Sequence, residues 1–138
     1  MNLLLVTLGA AGLLGGFVWL DSRTQRSRLN AVYMDRRPLS DEEFVGLFPS
    51  GVASPETVIN VRQILGAELD ADLSRAVSTD SFETNLAFLL DRDSMADVAI
   101  IEALEREFKV SFSDAEAQAM NTILDIVQAI GIKQATAP

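Results

Sequence analysis

The sequence predicts an all-α protein: one N-terminal transmembrane helix, then a small antiparallel four-helix bundle. Three observations predict it. Residues 3–20 carry no charge. Beyond them, apolar residues recur at helical spacing behind Ser- and Thr-led capping boxes. No stretch shows the two-residue alternation of a strand.

The uncharged stretch reads LLLVTLGAAGLLGGFVWL. At 1.5 Å per residue it spans about 27 Å, enough for the hydrocarbon core of a bilayer. Trp19 sits at its downstream edge, where aromatic rings favour the interface. Arg23, Arg26 and Arg28 follow. Positive charge stays on the cytoplasmic side, so the expected orientation is N-terminus out and the remainder in the cytoplasm, at the inner membrane. A cleaved signal peptide is the competing reading, but its basic segment should precede the apolar one, and Trp19-Leu20-Asp21 is a poor cleavage site. Gly12 and Gly16 have the spacing of a helix-pairing motif, which their abundance in membrane helices also explains.

Charge divides the chain. Up to Arg37 there are five basic and two acidic residues, a balance of +3; from Pro38 on there are six basic and eighteen acidic, a balance of −12. An acidic domain repels phosphates, so nucleic acid is not an expected partner, and basic protein surfaces are. With no Cys and no His, disulfides, Cys/His zinc sites, Ser-His-Asp triads and cysteine nucleophiles are excluded.

The divisions expected are an anchor over 1–21, a basic juxtamembrane linker with a short amphipathic helix over 22–53, a helical domain over 54–131 and a tail over 132–138. In the linker, Ser40-Asp41-Glu42-Glu43 forms a capping box and places Phe44, Leu47 and Phe48 on one face. Ser54 caps the next helix, with Pro55 in first position and Val58, Val61, Ile64, Leu65 and Leu69 inward. Residues 70–93 read as a long polar loop with apolar anchors at Phe82, Leu86, Phe88, Leu89 and Leu90. A helix is expected from near Ser94 to Phe108, burying Met95, Val98, Ile101, Leu104 and Phe108, with Ile100 flanking. Ser113-Asp114-Ala115-Glu116 opens a short helix. Thr122 caps the last one, with Ile123, Ile126, Val127 and Ile130 inward and Gly131 as its end.

From Asp93 to Ile130 the order of parts is Asp93-Ser94-Met95, then Leu104-Glu105-Arg106-Glu107-Phe108, an extended link, a short acidic helix and a Thr-capped helix. This region, with the helix at 55–69, resembles the acyl carrier protein family, over about residues 55–131. The resemblance implies an acyl-carrier-like bundle and a carrier rather than an enzyme. It makes Ser94 the attachment point of 4′-phosphopantetheine, flanked by Asp93 and Met95, and a substrate of a phosphopantetheinyl transferase. It implies outward acids, Asp97, Glu102 and Glu105, that meet basic surfaces on acyl-transfer or lipid-synthesis enzymes. A phosphodiester at a helix N-terminus is favoured by free N–H groups and the helix dipole. Ser94-Met95-Ala96-Asp97 is also a capping box, like those at Ser40 and Ser113, and a cap needs no cofactor.

The sequence departs from the family at Met95, usually Leu, at Leu89-Leu90-Asp91-Arg92, which lacks the usual Gly, and at Ala96, Ala99 and Arg106, where acids are frequent. A specialised partner set is expected from these departures. The functional expectation is a carrier tethered to the cytoplasmic membrane face for lipid or fatty-acid-type synthesis. The alternative is a non-modified acyl-carrier-like module of a membrane complex.

Overall fold

The computed structural model describes residues 24–90 and 95–136. The anchor expected at 1–21 lies outside the described residues, and among those described no helix is long and apolar enough to cross a membrane. Six helices are present in this part: α1 (24–32), α2 (Asp41–Val45), α3 (Pro55–Leu69), α4 (Ala96–Phe108), α5 (Asp114–Gln118) and α6 (Ile123–Thr136), with a 3₁₀ turn at Ala87–Leu89. The described residues hold no strand beyond one isolated bridge, Ser81 to Thr122.

Local sequence sets most helix starts. Ser40 and Ser113 each accept a hydrogen bond from the N–H three residues on, while Glu43 and Glu116 reach back to the serine N–H. Ser54 accepts from the Thr57 N–H and Pro55 opens α3. Thr122 and Asp125 make the same reciprocal box at the start of α6: Thr122 Oγ1 accepts from the Asp125 N–H at 3.0 Å, and Asp125 Oδ2 from the Thr122 N–H at 3.0 Å.

The core is one cluster. Val58, Val61 and Leu65 of α3 meet Leu104 of α4 and Ile123, Val127 and Ile130 of α6, all nearly solvent-free. α3 packs against α2, α4 and α6. Leu29, Tyr33, Phe44 and Phe48 belong to the same cluster, so its packing runs unbroken across residue 54. α1 lies where the sequence predicts a linker; its signal is Gln25, Leu29 and Tyr33 at i, i+4, i+8, and all three are buried. Phe44 and Phe48 meet edge to face at 5.2 Å, but Leu47, expected beside them, is exposed. Arg62 of α3 fastens α2 by stacking 4.4 Å over Phe44 and pairing with Asp41 at 2.7 Å.

The last helix departs from the expected boundary. α6 runs through Gly131 to Thr136, so Gly131 does not end it and residues 132–136 are helical. A Cβ on Gly131 would stand 2.0 Å from the Val52 carbonyl oxygen. Glycine is there to let two backbones meet.

The long loop is built around Asp80. Its carboxylate is 2% exposed and accepts from Tyr33 Oη at 2.9 Å, Arg36 Nη1, Asn85 Nδ2 at 2.9 Å and the Val77 N–H at 3.0 Å. Burial pushes its pKa up, but these hydrogen bonds outweigh it and hold the group below the usual carboxylate range. Its backbone oxygen, with that of Ser78, accepts the Ile123 and Leu124 N–H groups. The loop thereby satisfies donors that the first turn of α6 would otherwise leave free. The basic collar is partly engaged in the same way: Arg36 is on Asp80, Arg37 on Glu43, and Arg28 stacks 5.9 Å over Phe88.

Candidate functional site: the exposed side of α4

α4 begins at Ala96, with Met95 in the cap position and no side-chain cap from it. Met95 has φ −102° and ψ 0°, unlike the extended residues that cap α2, α3 and α5. Asp93 and Ser94 lie outside the described residues.

The buried face of α4 is turned from the one expected. Ile100, Ala103 and Leu104 enter the core. Met95 is 58% exposed and Val98 40%. Ile101 and Phe108 are only partly buried. The apolar stripe of α4 is wider than the core requires, and periodicity alone cannot assign its two edges.

The surplus edge borders a cavity of about 430 Å³. Phe82 and Leu90 of the loop, Val98 and Ile101 of α4, and Phe112 and Met120 flanking α5 supply its apolar lining. Asp97, Glu102, Glu105 and Asp114 also line it. The result is an apolar pocket with carboxylates among its walls, reached beside the first turn of α4. Such a volume fits a small organic chain.

The three predicted docking acids have different surroundings. Asp97 and Glu102 are exposed. Asp97 Oδ1 accepts from the Val98 N–H at 2.8 Å. Glu105 is half-buried, and its Oε2 accepts from the Phe112 N–H at 2.9 Å, holding the link to α5 against α4. Lys133 pairs with Glu116 at 2.9 Å and pulls that carboxyl down to about 2, with help from the Ser113 N–H. No group of three or more acidic residues suited to a metal ion occurs among the described residues.

Compared with known proteins, the chain is 34% identical over 80 residues to an acyl carrier protein of Thermosynechococcus vestitus; the match takes in 58% of this chain and 94% of that protein. No family model matches the chain.

Proposed function

The chain belongs to the acyl carrier protein family, and on that premise we propose that it carries acyl groups on a 4′-phosphopantetheine arm at Ser94, tethered to the cytoplasmic face of a membrane. The observation that supports this best is the apolar, carboxylate-lined cavity beside the first turn of α4, in a chain whose similarity spans nearly the whole of a carrier relative.

The arm supplies a terminal thiol that holds the acyl group as a thioester. The chain's own residues do the rest. Ser94 is two residues before the first residue of α4 in the sequence, and a phosphate near a helix N-terminus is favoured by the helix dipole. Val98, Ile101, Phe82 and Met120 offer an acyl chain an apolar lining, where each buried CH₂ contributes about 0.8 kcal/mol. Asp97 and Glu102 draw in enzymes with basic surfaces, a long-range attraction that salt weakens. The protein itself breaks no bond of the substrate.

The tether is residues 3–20, oriented by the arginines after it. Leu29 and Tyr33 fix α1 in the core. From Leu20 to Gln25 the chain reaches at most about 18 Å, so the domain stays close to the membrane surface. That position suits products that are lipids or lipid-linked.

The test is the intact mass of the protein purified from its native host. The wild type should carry one phosphopantetheine group and Ser94→Ala none. A wild type at the bare polypeptide mass contradicts the proposal. For the tether, a reporter active only outside the cytoplasm, fused after Pro138, should stay silent; activity would reverse the orientation.

A further inference from the structure

α1 and the end of α3 enclose a second cavity, of about 420 Å³, and it differs in character from the first. Gln25, Arg26 and Asn30 of α1 face Asp70 and Asp72 across it, and Leu89 adds an apolar wall. Gln25 is 8% exposed, and its Nε2 is buried without a hydrogen-bond partner. An unpaired buried amide costs about 1–3 kcal/mol, and folded proteins keep few of them. Asn30 Oδ1 is taken by Arg75 at 2.6 Å, which leaves the Nδ2 donor of Asn30 over. The Asp72 carboxylate accepts from the Ser74 N–H at 2.9 Å and from the Ser74 side chain, so the Asp70 carboxylate is the less engaged acceptor of the pair.

The walls thus offer amide donors on one side and carboxylate acceptors on the other. A bare anion meets Asp70 and Asp72, and a bare cation meets Arg26 and an amide donor. A neutral chain with carbonyl, N–H and hydroxyl groups matches both sides. Pantetheine is such a chain, and the volume lies within the ~300–1,000 Å³ of small-molecule sites. Leu89 is five residues before Ser94 in the sequence, a separation of at most about 18 Å, which an arm on Ser94 can span.

We infer that this cavity binds the pantetheine part of the chain's own arm, with Gln25 Nε2 donating to one of its amide carbonyls, and so shelters the thiol between deliveries. The inference rests on Ser94 bearing the arm. α1 then holds the thiol back as well as fastening the domain.

The chain has no cysteine, so in loaded protein the arm carries the sole thiol. The experiment loads wild type and Gln25→Met from CoA, confirms the mass gain, and measures the rate of thiol alkylation by iodoacetamide against free pantetheine. A hydrogen bond of about 1 kcal/mol predicts roughly five-fold slower alkylation in wild type than in Gln25→Met. In ¹⁵N-labelled wild type, the Gln25 side-chain amide resonance should shift on loading. Should Gln25→Met fail to fold, the wild-type rate against that of free pantetheine decides the same question. A wild-type thiol that reacts as fast as free pantetheine, on protein with the full mass gain, overturns the inference and leaves the carrier proposal standing. Absence of any mass gain overturns both.

Discussion

One guanidinium nitrogen of Arg36, Nη1, donates to both carboxylate oxygens of Asp80, at 3.0 and 2.9 Å. This contact joins the turn after α1 to the loop that seats α6. Breaking a buried ion pair from one side costs about 3–5 kcal/mol, and the low end applies because the Arg36 side chain is 33% exposed. Asp80→Ala should therefore lose about 3 kcal/mol in urea unfolding. A loss below about 1 kcal/mol would show that the loop is held by its apolar anchors alone.

Four carboxylates and Tyr33 set the pH profile of stability. Asp72, Asp80, Glu43 and Glu116 all have depressed pKa values, the last two at about 2. The unfolded chain takes up protons first as pH falls, so their stabilisation is present above the ordinary carboxylate range and is lost on the way down to about pH 2. Tyr33 shifts the other way, raised by burial and by Asp80. Its contribution is present below its ordinary pKa of about 10 and is lost as pH rises beyond it. Tyr33 is the chain's sole tyrosine, so tyrosinate absorbance reads it alone. The absorbance should rise together with unfolding. Titration of a still-folded protein near pH 10 would contradict the buried contact.

Gly131→Ala separates helix propensity from packing. Alanine favours a helix interior by about 1 kcal/mol over glycine. Here its Cβ would meet the Val52 backbone, which cannot swing aside as a side chain can. Net destabilisation of about 1–3 kcal/mol is expected, read as a lower midpoint in thermal unfolding. Stabilisation would mean that α6 and the Val52 segment part at little cost.

How much of this the sequence discloses depends on how local the cause is. The caps at Ser40, Ser54, Ser113 and Thr122 are legible because each partner lies three residues away. Gly131 reads as a helix end because its reason, Val52, is far back in the chain. Asp80 reads as one more polar loop residue because Tyr33 and Arg36 stand 47 and 44 residues upstream. Met95 and Val98 fit a buried stripe by spacing; their exposure follows from how α4 is rotated, which spacing does not fix.

The acids on α4 can be sorted by experiment. Glu102→Lys should leave thermal unfolding within about 0.5 kcal/mol of wild type, as an exposed site. Glu105→Lys removes the acceptor of the Phe112 N–H and should cost about 1–2 kcal/mol. Asp97→Lys with Glu102→Lys should slow association with a basic partner at low salt, and the difference should shrink as salt rises. Equal association rates at low salt would place the docking surface elsewhere.

We propose Ser94 as the residue that bears the arm. Its most direct test incubates wild type, Ser94→Ala and Ser94→Asp with CoA and a broad-specificity phosphopantetheinyl transferase, then reads intact mass and thermal unfolding. The cap position of α4 is taken by Met95, so neither substitution removes the helix cap, and both lack the hydroxyl. Wild type should gain one phosphopantetheine group, and neither substituted protein should gain any while remaining folded. A folded wild type that gains no mass with several transferases, or a Ser94→Ala protein that does, would overturn Ser94 as the attachment residue.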